Sequence, residues 1–338
     1  MSKRCLLPLV LAAACHSAGG ATPVDPTQAT MSILTPVGAD STSSIEGLAI
    51  FNGRLFVADW KDGAIYRIDP ANPAPEKVGQ LPLKPGTSIL GAVTDSIGDL
   101  FFAVPDPGVI YRVAVDRIGA KNFNPAKDAT VFATGAKGAN GINFDHNGHL
   151  WIGGGDADAL YQVGPKGGVA MTFAKHFSPI STDTTMPVRG YVVNGVAVDS
   201  KGFVYTVNTG TGEIVRLTIG AGYRPGPIAT FTKDARLIGA DGLIVDSNDN
   251  LWVSSNFQSH LVKITQDGAI TIVAGRAAAD GSAPAIGNGP ADALRFPAEL
   301  KRAGRHIFLT NLNFPIGANA KGHIAGASIA LVTLPNGI

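Results

Sequence analysis

Oxygen-bearing side chains stand directly before a glycine at four equivalent points of the chain: Glu46, Asn140, Asn194 and Asp241. A run of alternating apolar residues follows each of these glycines. Carboxylate and amide oxygens suit a hard divalent cation, above all Ca²⁺, with Mg²⁺ or Mn²⁺ as alternatives. The four residues therefore predict a metal site, provided that the fold brings them together.

Several other chemistries lack the residues that they need. A structural zinc site is excluded because Cys5 and Cys15 are the only cysteines and the seven histidines show no HxxxH spacing. The sequence contains neither a GxSxG nucleophile elbow nor a phosphate-binding loop that opens a helix. The formal net charge is +1, with 27 basic and 26 acidic residues, so nothing predicts a nucleic-acid-binding surface.

The segments that carry the four residues are copies of one repeat. Five copies align on their glycines, and the separations between successive glycines are 44, 50, 54 and 47 residues. These copies are "EGLAIFNGRLFVAD" (46–59), "LGAVTDSIGDLFFAV" (90–104), "NGINFDHNGHLWIGG" (140–154), "NGVAVDSKGFVYTVN" (194–208) and "DGLIVDSNDNLWVSS" (241–255). A sixth copy, "PAELKRAGRHIFLTN" (297–311), is degraded and has Pro297 in place of the glycine. This period is typical of the four-stranded blades of β-propellers.

Each copy predicts a strand, a tight turn and a second strand, and a third strand such as "AIYRID" (64–69) follows in most copies. A less regular outer strand completes the blade. We therefore predict an all-β fold, a six-bladed β-propeller of four-stranded antiparallel blades, with 42 glycines available for the turns. Either "MSILTPV" (31–37) or "SIALVTL" (328–334) is expected to close the ring by adding a strand to the last blade.

The innermost strands of a propeller line its central channel, so equivalent residues at the mouths of these strands converge on the axis. In register, this position is occupied by Glu46, Leu90, Asn140, Asn194 and Asp241. Asn-Gly and Asp-Gly pairs are also common in turns, which is the simpler interpretation of any one of them. Four oxygen-bearing residues stand in register, and one of them, Glu46, is not a residue type that turns favour. Together they favour an axial metal site instead.

Residues 1–15 have the layout of an export signal, with a basic start and an apolar run from Leu6 to Ala14 before Cys15. The run is shorter than the roughly 20 apolar residues of a membrane-spanning helix. Cleavage before Cys15 predicts a lipoprotein, tethered to a membrane through the lipidated cysteine, whereas an Ala-x-Ala pattern also allows simple cleavage. We expect an exported, periplasmic or cell-surface protein that is anchored by lipid.

Residues 16–30 resemble a flexible tether, and residues 31–338 are predicted to form a single propeller. Without Lys3 and Arg4, the exported chain carries 25 basic and 26 acidic residues. We expect a monomer with a small-molecule substrate and without a nucleic-acid partner.

Three segments resemble the SMP-30/gluconolactonase-like six-bladed propellers: "EGLAIFNGRLFVAD" (46–59), "NGVAVDSKGFVYTVNTGTGEIVRL" (194–217) and "GADGLIVDSNDNLWV" (239–253). At the level of the blade pattern, the resemblance covers roughly residues 43–312. It implies that Glu46, Asn194 and Asp241 hold a divalent metal. It also implies that Asn140 contacts the substrate or a metal-bound water.

The same resemblance implies a metal-dependent hydrolase of a lactone or related ester. Asp241 is then the candidate for both metal ligand and general base, and Asn140 orients the substrate. A carboxylate bound directly to a dication is a poor base, so the assignment of the base stays open. Sugar lactonases of this family often carry an arginine two residues before the third-blade asparagine, where this chain has Gly138, and a sugar lactone is therefore not predicted.

A non-catalytic binding propeller with a structural axial cation is the alternative hypothesis. The segment "AGRAAADGSAPAIGNGPADALRFPAEL" (274–300) resembles a loop of NHL-type propellers, which are commonly binding scaffolds. A lyase that acts on a cyclic ester is a third hypothesis, since one fold supports many chemistries. The enzyme, unlike the scaffold, requires an open coordination position and a cavity above the cation.

Overall fold

Six β-sheets arranged around one axis make up the protein. The computed structural model describes residues 29–38, 43–184, 189–276, 285–290, 293–312 and 326–336. The innermost strand of each sheet lies against the innermost strands of the two neighbouring sheets, which closes a ring. The predicted six-bladed propeller of four-stranded antiparallel blades is confirmed, and two of the blades carry a short fifth strand.

Strand β1 (Thr30–Pro36) precedes the first blade. From the axis outward, the first blade consists of β2 (Leu48–Phe51), β3 (Arg54–Ala58), β4 (Ala64–Asp69) and β5 (Asn72–Gln80). The second consists of β6 (Gly91–Thr94), β7 (Leu100–Val104), β8 (Val109–Val113), β9 (Ala129–Thr134) and, added in parallel from further along the chain, β13 (Gly168–Val169). The third consists of β10 (Ile142–Phe144), β11 (Leu150–Gly153), β12 (Ala159–Val163) and β14 (Met171–Lys175).

The fourth blade consists of β15 (Val196–Val198), β16 (Val204–Asn208), β17 (Glu213–Gly220) and β18 (Arg224–Lys233). The fifth consists of β19 (Ala240–Val245), β20 (Leu251–Ser255), β21 (His260–Ile264), β22 (Ile270–Arg276) and β23 (Ala285–Ile286). The sixth consists of β24 (Pro297–Ala303), β25 (His306–Asn311), β26 (Ser328–Thr333) and β1. In the part of the chain that the structure describes, the helical segments are α1 (Pro125–Asp128) and two 3-10 turns, Val115–Arg117 and Ala235–Leu237. Within the described ranges, no helix combines the length and the apolar character that crossing a membrane requires.

Both candidate segments for closing the ring contribute a strand to the sixth blade. β26 forms its third strand, and β1 pairs antiparallel with β26 as its outermost strand, from Thr30 opposite Thr333 to Pro36 opposite Ser328. Ala29 is fully buried, so the last two residues of the predicted tether belong to the propeller. The predicted signal and the remainder of the tether, residues 1–28, lie outside the described residues.

An aspartate recurs in the turn between the first and second strands of the repeat, as in "DHNG" (145–148) and "DSND" (246–249). The carboxylate of Asp145 accepts hydrogen bonds from the backbone N–H groups two and four residues further on, which holds the turn between β10 and β11. It also accepts a hydrogen bond from the indole of Trp151, which is fully buried. Asp246 and Trp252 repeat this arrangement in the fifth blade. These residues organise turns and inter-blade packing, and they lie away from the axis.

The glycines that follow the axial residues let neighbouring inner strands approach each other. A Cβ atom on Gly195 would lie 2.1 Å from the backbone oxygen of Asp241, and one on Gly91 would lie 2.1 Å from the backbone oxygen of Asn140. Real Cβ atoms do not come this close to other atoms, so larger residues would force the strands apart. The repeat therefore needs glycine here for close packing around the channel.

The sixth blade corrects the sequence alignment. In β24, Leu300 pairs with Leu309 just as Leu243 of β19 pairs with Val253. Glu299, and not Pro297, therefore occupies the position of the glycine. The apolar alternation of this copy begins two residues later than the alignment assumed, because an irregularity in the pairing separates Pro297 from Leu300.

A hydroxyl group joins the sixth blade to the first where the glycine is missing. Thr310 accepts a hydrogen bond from the backbone N–H of Glu299 at 3.1 Å and donates one to the backbone oxygen of Glu46 at 2.6 Å. The side chain of Thr310 is fully buried. This bridge fixes the backbone of Glu46, the first of the predicted metal ligands.

Candidate metal centre and substrate cavity

The structure brings the four predicted residues together at the mouths of the inner strands. Glu46, Asn140, Asn194 and Asp241 are all buried, and all four border one cavity of about 760 Å³. Leu90 completes the ring at the mouth of the second blade. The convergence that the register predicts is therefore present, and its chemistry depends on the orientation of each side chain.

Backbone contacts hold the predicted residues in equivalent places. The backbone N–H of Asn140 donates a hydrogen bond to the backbone oxygen of Gly153 at 2.8 Å. The backbone N–H of Asn194 donates one to the backbone oxygen of Val207 at 3.0 Å. Each bond ties the mouth of an inner strand to the second strand of the same blade. The rigid sheets thus fix where the polar side chains enter the cavity.

The side-chain amide of Asn194 is oriented by its neighbours. Its Nδ2 donates a hydrogen bond to Oγ1 of Thr209 at 2.9 Å, and this hydroxyl donates in turn to the backbone oxygen of Ala240 at 2.7 Å. The other end of the amide, Oδ1, is buried and has no hydrogen-bond donor in the described structure. A buried oxygen without a donor is costly, and a cation is one partner that would satisfy it.

The carboxylate of Asp241 is held in a similar way. Nδ2 of Asn256 donates to its Oδ2 at 3.0 Å, and both residues are buried. Oδ1 of Asn256 is a second buried oxygen that lacks a hydrogen-bond donor. Thr209 and Asn256 occupy equivalent positions, directly after the second strands of the fourth and fifth blades.

Burial makes ionisation of the axial carboxyl groups unfavourable. It raises the pKa of Glu46 well above its usual range, and the negative charges of Asp241 and Glu299 add to this increase. Burial likewise raises the pKa of Asp241 to about 7; the charge of Glu299 adds to it, and the amides of Asn256 and Asn194 act in the opposite direction. A nearby cation would favour the charged forms and lower both pKa values.

Glu299 is a third carboxylate at the axis, which sequence reasoning missed. It lines the narrow axial gap beneath the cavity together with Glu46 and Asp241. Burial raises its pKa, and the ammonium group of Lys301, 3.2 Å from Oε1, acts in the opposite direction. An alignment on Leu300 rather than on Pro297 would have found it.

The donor set of the predicted site is two carboxylates and one amide oxygen. Among the residues that the structure describes, no three Asp, Glu, His or Cys side chains form a group that could hold a metal by themselves. The site therefore depends on Oδ1 of Asn194 in addition to Glu46 and Asp241. An all-oxygen set of this kind suits a hard cation and does not suit zinc.

The family follows from a match over most of the repeats. Residues 45–291 match the family described as SMP-30/Gluconolactonase/LRE-like region. The chain belongs to this family. The match includes Glu46, Asn140, Asn194 and Asp241 and ends before the sixth blade, so Glu299 lies outside it. No curated protein matches the chain.

Solved structures with this fold differ widely from the chain in sequence. A gluconolactonase from Xanthomonas campestris is 15% identical with a TM-score of 0.59, over 91% of this chain and 90% of the other. A luciferin-regenerating enzyme is 13% identical with a TM-score of 0.63, over 91% and 96%. A catalytically inactive histidine-to-alanine variant of virginiamycin B lyase from Staphylococcus aureus, solved with quinupristin, is 15% identical with a TM-score of 0.56, over 91% and 100%. At these identities, the likeness establishes the propeller fold alone.

The long segment that connects β14 to β15, before the fourth blade, contributes a residue to the cavity. Nδ2 of Asn208 donates hydrogen bonds to Oγ of Ser178 at 2.7 Å and to the backbone oxygen of Pro179 at 2.8 Å. These bonds anchor the segment to the end of β16. Tyr191, at its far end, borders the cavity, and burial together with the charges of Glu46, Asp156 and Asp241 raises its pKa.

Proposed function

We propose that the protein is a hydrolase of lactones or related esters that uses a divalent cation at the propeller axis, Ca²⁺ in the first place and Mg²⁺ or Mn²⁺ as alternatives. The observation that carries the proposal is the buried Oδ1 of Asn194, which has no donor and belongs to a side chain on the wall of a 760 Å³ cavity. Membership of the SMP-30/gluconolactonase/LRE-like family supports an enzyme of the lactonase type.

The residues fit a cation on physical grounds. Glu46 and Asp241 are buried acids whose ionisation is unfavourable without a counter-charge, and Thr209 holds the Asn194 amide so that its oxygen is not used as an acceptor. When bound, the cation would polarise the substrate carbonyl and stabilise the negative charge that develops on its oxygen. Glu46, Asn194 and Asp241 are the proposed ligands.

The remaining steps fall to the side chains around the cavity. Asn140 is proposed to orient the substrate by hydrogen bonds from its amide. Asp241 is proposed to accept a proton from the attacking water as the water oxygen bonds to the carbonyl carbon. The ring or ester C–O bond then breaks, and the proton passes to the departing oxygen.

The lyase hypothesis is less well supported. The S. aureus lyase is inactive when one histidine is replaced by alanine. No histidine is present among the described residues that line the cavity of this chain. The binding-propeller hypothesis shares the axial cation with the proposed enzyme, so only turnover separates the two.

Hydrolysis of two lactones tests the proposal. Chelator-treated protein is assayed with glucono-δ-lactone and δ-decalactone, before and after addition of Ca²⁺, Mg²⁺ or Mn²⁺. We expect hydrolysis above the uncatalysed rate only with a cation, and a loss of roughly 100-fold or more in Asp241→Asn. Asp267→Asn, in an exposed turn of the same blade, is the control and should retain full activity. Turnover that survives chelation would contradict the metal-dependent mechanism, and binding of Ca²⁺ without any turnover would favour the scaffold.

A further inference from the structure

The cavity above the axial site has two chemically different halves. The third, fourth and fifth blades contribute mostly polar residues: Lys137, Asn140, Asp156, Tyr191, Asn194, Thr209, Asp241 and Asn256. The sixth, first and second blades, which are also adjacent in the ring, contribute mostly apolar residues: Phe296, Leu312, Trp60, Leu90, Pro105 and Pro107. The polar exceptions in this second half are Glu46 at the axis, half-buried Ser88 and exposed Asp106. We call the apolar half the apolar wall.

Three residues of the apolar wall pack against one another. Phe296 and Leu312 belong to one buried cluster, and the half-buried ring of Trp60 packs against it. The indole N–H of Trp60 donates to the backbone oxygen of Ile89 at 2.8 Å, so its polar atom is satisfied within the protein. The wall therefore offers a ligand an apolar surface and few groups for hydrogen bonding.

Leu90 shows that the difference between the halves extends to the axis. Its backbone N–H donates a hydrogen bond to the backbone oxygen of Ala103, on the second strand of its blade, at 3.0 Å. Asn140 and Asn194 make the equivalent hydrogen bond to the second strands of their own blades. The three residues are thus structurally equivalent, and the second blade alone among them carries an apolar side chain. Leu90 is 7% exposed, and its side chain borders the cavity.

Phe296 is held in an unfavourable backbone conformation next to the cavity. Its φ angle is 53°, in the left-handed region that bulky side chains rarely adopt. Such a conformation persists only where the surrounding structure determines it, and it is found most often at functional sites. The backbone oxygen of Phe296 accepts a hydrogen bond from the N–H of Leu312 at 3.3 Å, which links the two wall residues.

We infer that the substrate is a lactone or ester with an alkyl or aryl substituent, which lies against the apolar wall while the carbonyl faces the polar half. This inference rests on the proposed function and adds the substrate class. A polyhydroxylated sugar ring against Trp60, Leu90 and Phe296 would lose hydrogen bonds to water and regain few from the wall, which disfavours it. An alkyl chain there would gain from the removal of apolar surface from water.

Two lactones with the same six-membered ring separate these substrate classes. δ-Decalactone carries a pentyl chain at the ring carbon where glucono-δ-lactone carries a hydroxymethyl group, and it lacks the hydroxyl groups that glucono-δ-lactone carries on the other ring carbons. We expect kcat/KM for δ-decalactone to exceed that for glucono-δ-lactone by about tenfold or more. Leu90→Asn, which gives the second blade the residue of the third and fourth, should reduce this preference by about tenfold. Ile97→Asn makes the same exchange of an aliphatic residue on the same blade at a position that is 61% exposed, and should leave the preference unchanged.

A binding measurement on the native protein tests the inference independently of turnover. The δ-lactams with the same two sets of substituents resist hydrolysis and can be titrated against the native protein with Ca²⁺ present. Trp60 is the one tryptophan that is not fully buried, so a fluorescence change that is lost in Trp60→Phe reports occupation of the apolar wall. We expect the pentyl lactam to bind about tenfold or more tightly than the glucono lactam.

The outcomes distinguish the inference from the proposed function. Hydrolysis and binding that both favour the pentyl compounds support both. A preference for glucono-δ-lactone overturns the inference and leaves the hydrolase intact. Binding of the pentyl lactam without hydrolysis of either lactone overturns the hydrolase and supports an apolar ligand site. Failure of the pentyl lactam to bind more tightly than the glucono lactam overturns the inference.

Discussion

Nδ2 of Asn194 lies 2.9 Å from Oγ1 of Thr209, and this hydrogen bond turns the acceptor oxygen of the amide away from every donor in the described structure. Thr209→Val keeps the shape of the side chain but removes the acceptor that orients the amide. We expect Ca²⁺ affinity to fall by about 10- to 100-fold, the usual effect of losing a group that orients a ligand. Titration calorimetry on chelator-treated protein measures it.

Thr206→Val is the matched control, because Thr206 is a buried threonine on β16, the strand that Thr209 directly follows, and its hydroxyl has no hydrogen-bond partner in the described structure. Its affinity for Ca²⁺ should equal that of the native protein. Equal affinity in Thr209→Val as well would mean that Asn194 is not a ligand or does not need this orientation.

Glu46 is expected to contribute charge to the same cation from the opposite side of the ring. Glu46→Gln should weaken Ca²⁺ binding by about 100-fold or more, since a hard cation binds carboxylate oxygens more strongly than amide oxygens. Glu76→Gln, on the exposed outer strand β5 of the same blade, should bind like the native protein. Titration calorimetry of both variants at one pH measures their affinities for Ca²⁺. Native affinity in Glu46→Gln would show that Glu46 is not a ligand.

The metal-free protein should lose stability as the pH rises from about 4 to about 7. The pKa of Asp241 is about 7 in the folded protein, against 3.8 for an exposed aspartate, so folding takes up a proton in this range. The associated stability is fully present below pH 4 and is lost as the pH passes through 7, on the order of 4 kcal/mol in all. Urea unfolding in chelator measures the free energy of unfolding at each pH.

Asp241→Asn isolates this effect from other titrating groups, because it removes the ionisation and keeps the shape. The difference in stability between the native protein and the variant should change across pH 4–7 in chelator. In saturating Ca²⁺ this dependence on pH should become much smaller, because the cation lowers the pKa of Asp241. A difference that is constant with pH in chelator would show that Asp241 has an ordinary pKa.

The contact between Gly195 and the backbone oxygen of Asp241 should make Gly195→Ala strongly destabilising. A Cβ atom would lie 2.1 Å from that oxygen, and relief requires the fourth and fifth inner strands to separate. We expect a loss of about 2 kcal/mol or more in the free energy of unfolding and weaker Ca²⁺ binding. Gly164→Ala, where a Cβ would meet no atom within 4 Å, is the control and should be nearly neutral.

The pairing of β1 with β26 should make residues 29–36 essential for a stable ring. Ala29 and Met31 are buried in the same cluster as Val332, so their removal exposes apolar core and leaves an unpaired strand edge. A chain that starts at residue 37 should unfold at a lower temperature than one that starts at residue 29. Equal melting temperatures in thermal scans would show that the closure by β1 is dispensable.

The fold and most of the axial residues were predictable because both follow from the period of the repeat. An inner strand that must pack around an axis needs glycine at a fixed place, so Gly195 and Gly242 mark the register of their neighbours Asn194 and Asp241. Side chains at one register position reach one place in space. The family match over residues 45–291 agrees with this interpretation of the repeats.

Glu299 was not predictable from the alignment, because the sixth copy has no glycine and its pairing is irregular between Pro297 and Leu300. Thr209 and Asn256 were readable in principle, since both directly follow a second strand. Their side chains form hydrogen bonds that orient the proposed metal ligands Asn194 and Asp241. The pattern of residue types along the chain does not predict which side chains form such bonds.

The sequence by itself determined the six blades, their inner strands and four of the oxygen-bearing residues at the axis, because the alternation of apolar residues and the recurrence of glycine are local properties of the chain. Only the tertiary structure decided which oxygen is left without a donor and which blades form the apolar wall. Those properties depend on contacts between residues far apart in the chain, such as Trp60 against Phe296 and Leu312, and packing in three dimensions alone brings them together.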